Sequence, residues 1–100
     1  MDKYSVYVSP QAYREIDSIY EYINKELQAS GAAENLVSLI ENAIFNLEEM
    51  PHRGAERTVG IYAYKGYRQL FVRNYTIIYR IEEERRSVII ITVRYSHSDF

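Results

Sequence analysis

Four arginines in the last third of the chain, Arg68, Arg73, Arg80 and Arg94, are interleaved with Tyr75, Tyr79, Tyr95 and His97. Guanidinium groups bind phosphate or carboxylate through paired hydrogen bonds. Aromatic rings beside them can stack on nucleobases. Strand alternation predicts three one-sided sets: Arg68 with Leu70 and Val72, Thr76 with Ile78 and Arg80, and Ile90 with Thr92 and Arg94. The competing reading is structural, with each arginine paired to Glu82, Glu56 or the acids of the N-terminal half.

Other chemistries find little support. The sequence has no phosphate-binding G-x-x-x-x-G-K-S/T, no G-x-G-x-x-G and no H-E-x-x-H. His52 and His97 are isolated, and Glu82-Glu83-Glu84 sits beside Arg85-Arg86 as a solvated turn would. No metal site, cofactor or hydrolase triad is expected. Cysteine is absent, which removes disulfides and thiolate metal sites and fits a reducing cytoplasm.

The elements that would position these residues follow from pattern. Residues 4–8 are strand formers. Ser9-Pro10 reads as a helix N-cap followed by proline at the first helical position. Ala12, Ile16, Ile19, Tyr20, Ile23 and Leu27 then recur at helical spacing, predicting a helix over 10–28. Ala29-Ser30-Gly31 breaks it. A second helix is expected over 32–49, with Leu36, Ile40, Ala43, Leu47 and Met50 packing antiparallel on the first. Met50-Pro51-His52-Arg53-Gly54 ends the helical part.

Strands are predicted over 58–64, Tyr67–Val72, Tyr75–Glu82 and Ser87–Tyr95. They are joined by Lys65-Gly66, by Arg73-Asn74, where Asn tolerates positive φ, and by a charged loop over 83–86. The Val88-Ile89-Ile90-Ile91 run implies a strand covered on both faces. The expected fold is α+β. An N-terminal strand and an antiparallel helical hairpin pack on a mostly antiparallel sheet, in the order β-α-α-β-β-β-β.

Size and composition set the frame. One hundred residues with 47% apolar content fit one domain spanning 1–100. The M-D-K-Y start does not read as a signal region, and no apolar run is long enough for a bilayer, so no membrane partner is expected. The net charge of −2 conceals an asymmetry. Residues 1–50 hold three Lys/Arg and nine Asp/Glu, net −6, whereas residues 51–100 hold nine and five, net +4. Such a split suggests two different surfaces. Tyrosine is abundant, with eleven residues, and suits both strand faces and interfaces.

The combination Arg68-x-Leu70, Asn74-Tyr75-x-Ile77-x-Tyr79-Arg80-Ile81 and a last strand with a short polar tail resembles the sheet of the RelE/ParE superfamily of type II toxins. Ile16-Asp17, Tyr22-Ile23, the 36–40 segment and Leu47-x-x-Met50-Pro51 resemble its helical hairpin, especially in the ParE branch. The resemblance covers nearly the whole chain. It implies a growth-inhibiting toxin neutralised by a cognate antitoxin in a hetero-oligomer, with DNA gyrase or the ribosome as target.

RelE-like members cleave mRNA on the ribosome without metal, whereas ParE-like members bind gyrase. The nuclease pattern is departed from here. Tyr75 is followed by Thr76 instead of arginine, and Tyr95-Ser96 occupies the positions where a histidine or arginine is expected. A net negative chain is also poorly suited to ribosomal RNA. The gyrase-binding reading is therefore preferred. If the chain is a nuclease, Arg80, Arg94, Tyr95 and His97 are the catalytic candidates. A non-toxic binding domain of the same fold is a third reading. The antitoxin- or target-binding candidates are Arg68, Arg73, Arg80, Arg94 and Tyr95, on a basic, tyrosine-rich surface suited to an acidic tail.

Overall fold

Ser9 links the first strand to the helical layer as its sequence suggests. Its backbone is extended, and its Oγ accepts a hydrogen bond from the Ala12 amide. The same hydroxyl donates to the Ile91 carbonyl at 2.9 Å, tying the helix start to the sheet. In the computed structural model, which describes residues 3–100, β1 is Ser5–Val8 and α1 is Pro10–Glu21. Met1 and Asp2, where the chain start was read, lie outside the described residues.

α1 buries Ala12, Ile16 and Ile19 and runs on as a π-helical turn, Tyr22–Glu26. That turn closes i→i+5 rings and changes the angular step along the helix. Leu27, expected on the buried stripe, is exposed. The break falls at residues 27–29, where Gln28 takes φ 49°, and α2 already begins at Ser30 (Ser30–Phe45). Ile40, Ile44 and Leu47 are buried in the core, with Leu36 and Ala43 packed against it. Met50 is 60% exposed. The helix tightens to a 3₁₀ turn at Asn46–Glu48, and Met50 leaves helical geometry at φ −132° and ψ 65°.

The strand expected over 58–64 does not form. A two-residue strand, β2 (Ala55–Glu56), takes its place, and 58–64 is a loop containing a 3₁₀ turn, Gly60–Tyr62. Positive φ at Gly60 (75°) and Tyr64 (56°) breaks the extended alternation, and the Tyr64 amide donates back to the Arg57 carbonyl. The remaining strands match their predicted limits: β3 Tyr67–Val72, β4 Tyr75–Glu82 and β5 Ser87–Tyr95. In the β3–β4 turn the positive φ falls on Arg73 (54°) and not on Asn74.

The sheet order is β1-β5-β4-β3-β2. β1 pairs parallel with β5, and all other pairs are antiparallel. The two helices pack on one face, where Ile77, Tyr79, Val88, Ile90 and Val93 meet Ile16, Ile40 and Leu47.

One irregularity decides which residues meet. Ile78 pairs with Thr92, but Tyr79 pairs with Ile90, so Ile91 is the extra residue of a β-bulge. The bulge reverses the face assignment beyond it. Ile90 and Val93 both face the helices, while Thr92 and Arg94 face away. The expected grouping of Ile90 with Thr92 and Arg94 is therefore wrong.

Candidate functional site

A concavity opens where the C-terminal end of α1, the first half of α2, the β3–β4 turn and the end of β5 converge. Two adjoining hollows, of about 440 and 570 Å³, share Tyr22, Tyr75 and Tyr95. Tyr22 comes from the π-helical turn, Tyr75 opens β4 and Tyr95 closes β5. Register places Tyr75 directly across from Tyr95, with the rings edge-on at 5.8 Å. Tyr22 and Tyr95 are about half exposed, and Leu27 and Leu39 extend the apolar wall.

Among the described residues Arg73 is the only charged one in the lining, which gives the cleft a slight positive bias. Burial raises the Tyr75 phenol above its ordinary pKa, with a smaller contribution from Tyr95 and Tyr22, so it remains a neutral hydroxyl at physiological pH. Apolar walls with phenolic tips suit an amphipathic segment that leaves its polar groups at the rim.

The remaining sequence candidates are scattered. Arg68 lies toward the other end of the helix-facing side of β3, and its Nη1 donates to the Gly54 and His52 carbonyls. There it borders Tyr79, whose buried hydroxyl accepts from the Gly54 amide at 3.0 Å and donates to the Pro51 carbonyl at 2.8 Å. Arg80 faces the opposite side of the sheet and pairs with Glu82 at 3.1 Å. Arg94 shares that outer face, but it stands across from Thr76, four residues from Arg80. At strand spacing that separation is about 13 Å. Tyr95 faces the helices' side, and His97, past the strand end, sits with its ring 5.1 Å from the Tyr95 ring. Of the four nuclease candidates, only Tyr95 and His97 come together. Of the five binding candidates, only Arg73 and Tyr95 do.

Glu15 shows why Arg94 is not a free cation. Its carboxylate accepts from the Thr92 hydroxyl at 2.7 Å and from the Val93 amide at 3.1 Å, and lies 3.6 Å from Arg94 Nε. β1 ends at its pairing with Ile90, so this stretch of β5 has no strand on its β1 side and α1 supplies the acceptor there instead. Charge alone suggested that Arg94 could pair with a helix acid but did not identify Glu15. Tyr22, Arg57 and Tyr75 are not among the site residues expected from the sequence, where Tyr22 and Tyr75 enter only as parts of the family pattern. Tyr22 becomes significant only once the π-helical turn carries it to the strand ends.

A second titratable group lies at the far end of the molecule. Glu83 accepts from the Tyr4 hydroxyl at 3.0 Å and contacts His52 Nε2 at 2.8 Å. These two hydrogen bonds, Tyr4 first, hold its carboxyl below the usual carboxylate range.

Residues 6–100 match the model of a family described as the ParE toxin of the type II toxin–antitoxin system parDE. No curated protein matches the chain. Among solved structures, the chromosomal ParDE system from P. aeruginosa superposes with a TM-score of 0.76 at 19% identity, over 93% of this chain and 96% of that one. The RelBE2 toxin–antitoxin complex from Mycobacterium tuberculosis gives 0.68 at 19% identity, over 93% and 98%. The intact E. coli RelBE toxin–antitoxin complex gives 0.62 at 15% identity, over 95% and 99%. These structures share the arrangement of two helices on a five-stranded mixed sheet.

Proposed function

The chain belongs to the ParE toxin family of type II toxin–antitoxin systems, and from that premise we propose that it arrests growth by binding an essential target, DNA gyrase first, without cutting RNA. The observation that carries this reading is the dispersal of the cations. Stabilising a phosphorane-like transition state requires donors preorganised around one phosphate. Arg68 instead faces the helices, Arg80 faces the opposite side of the sheet, and Arg94 stands four residues along from Arg80 on that side, each held by neighbouring oxygens. Thr76 stands where a nuclease of this superfamily is expected to carry arginine, and its hydroxyl is hydrogen-bonded to Ser96 at 2.8 Å.

The same reading assigns the tyrosine cleft to a cognate antitoxin. An amphipathic tail, disordered alone and folding on binding, would lay its apolar side against Tyr22, Tyr75 and Leu39 and bring acids to Arg73. Support comes from the cleft's apolar walls and slight positive bias, and from the neighbouring folds having been solved as toxin–antitoxin complexes.

The decisive experiment pairs two assays of purified protein. Inhibition of gyrase supercoiling, with no cleavage of mRNA on programmed ribosomes, is the expected result. The Tyr95–His97 contact favours one alternative, a ribosome-dependent mRNA endonuclease. Ribosome-dependent cleavage that disappears in His97→Ala would establish it. Normal growth despite soluble expression without antitoxin would point instead to a non-toxic binding domain.

A further inference from the structure

The outer face of the sheet carries a cation arrangement unrelated to the tyrosine cleft. Arg57 is only 7% exposed, yet none of its guanidinium acceptors is an Asp or Glu side chain. Its Nε donates to the Val59 carbonyl at 3.0 Å, its Nη1 to Gln69 Oε1 at 2.9 Å and its Nη2 to the Phe100 main-chain oxygen at 3.4 Å. A buried guanidinium is costly unless its hydrogen-bonding groups and charge are compensated. The Phe100 ring lies against it at 4.7 Å, and Arg94 approaches the same ring at 5.4 Å. Two guanidinium groups thus approach one aromatic ring, an arrangement favoured by the negative quadrupole of its faces.

The fit around Phe100 is close. A Cβ on Gly60 would fall 1.7 Å from its main-chain oxygen, and Gly60 has φ 75°. The segment leading to it is lightly held. Ser96 and Ser98 are fixed by main-chain bonds to Asn74 and Tyr95, but His97, Ser98 and Asp99 are exposed and Phe100 is the buried residue of the tail. The cradle therefore holds an aromatic side chain, anchored by its ring and by the contact of its main-chain oxygen with Arg57.

We propose that the Arg57–Arg94 cradle is a recognition site for an aromatic residue, which Phe100 fills in the free chain and which a peptide segment of a partner enters by displacing it. Three observations converge on this chemistry: the buried arginine without an acidic side-chain partner, the two guanidinium groups at one ring, and the phenylalanine already seated there. The site lies on the face opposite the tyrosine cleft, so its occupancy is separable from the gyrase and antitoxin assignments.

A cradle filled by its own tail nine parts in ten is about tenfold less available to a competitor. The probe is the peptide acetyl-Ser-Asp-Phe, titrated into full-length protein and followed by amide chemical shifts. Phe100→Ala should bind it about tenfold more tightly than the wild type. Phe100→Leu, which keeps an apolar plug and protects the fold, should show a smaller gain in the same direction. In either background, Arg94→Gln should weaken the peptide, and acetyl-Ser-Asp-Leu should bind less well than the phenylalanine form. Equal binding to wild type and both Phe100 variants, no binding to any of them, or indifference to Arg94→Gln would overturn the proposal and leave Phe100 as a structural cover.

Discussion

Ile77 and Ile78 are consecutive residues of β4, both without exposed surface, and they face opposite sides of the sheet. Ile77 sits in the core cluster with Ile40 and Leu47, against helices that cannot move without disturbing the whole layer. Ile78 lies between Gln69 and Thr92 on the outer face, where the 57–64 loop and Phe100 close around Arg57. The helix face excludes water with regular elements and apolar side chains. The outer face does so with irregular chain and with buried polar groups, Arg57, Thr76 and Thr92, each given a hydrogen-bond partner. The lesson is that equal burial need not mean equal rigidity. Function that requires a displaceable part is better placed on the irregular side.

Truncation of the two isoleucines tests that contrast most strongly. Ile77→Ala should cost about 4 kcal/mol, because the helical layer relaxes little around the cavity, whereas Ile78→Ala should cost about 2 kcal/mol, because loop and tail can settle inward. Urea unfolding measures both, and equal costs would erase the distinction between the faces.

Tyr79→Phe comes next. It strands the Gly54 amide and the Pro51 carbonyl in a buried setting and should cost about 2 kcal/mol without altering the cleft. A normal antitoxin affinity in this destabilised variant would separate folding from binding. If affinity falls in step with stability, the cleft is not an independent region.

Within the binding assignment, Tyr95→Ala should weaken the antitoxin complex by roughly 2 kcal/mol, mainly through faster dissociation, and Arg80→Ala by less than about 1 kcal/mol. Dissociation rates decide it, and the reverse order would move the interface to the outer face.

Glu15→Gln probes the seam between the two faces. The amide retains an acceptor for the Val93 amide but loses the charge beside Arg94, for an expected loss of about 1 kcal/mol. No change in thermal midpoint would mean that the edge of β5 is held by its backbone alone.

The smallest effect concerns pH at the far end. Glu83 has its folded pKa lowered by Tyr4 and His52. Its contribution is therefore present above the usual carboxylate pKa and lost as pH falls through the lowered one. The thermal midpoint should decline in that acidic window, and Tyr4→Phe should flatten this part of the profile. An unchanged slope would assign the acid sensitivity elsewhere.

Much of the fold was legible because local signals agreed. Ser9-Pro10 specified a helix start through an N-cap hydroxyl and a preset φ, and both act within four residues. β3, β4 and β5 were readable because turn residues bounded runs of strand formers. What pattern could not place was the bulge. In Val88-Ile89-Ile90-Ile91 both faces read apolar, so inserting one unpaired residue leaves no mark in the hydropathy, yet it puts Arg94 on the face opposite Ile90, with which alternation groups it. The loop over 58–64 escaped for a related reason: its Val, Ile and Tyr residues favour strands, but Gly60 and Tyr64 adopt positive φ once the Arg57 side chain and Phe100 close over the sheet. The sequence alone determined most of the elements, their order and a supply of arginine and tyrosine. Only the tertiary structure decided which of them share a site, because register, bulge and tail depend on contacts between residues far apart in the chain.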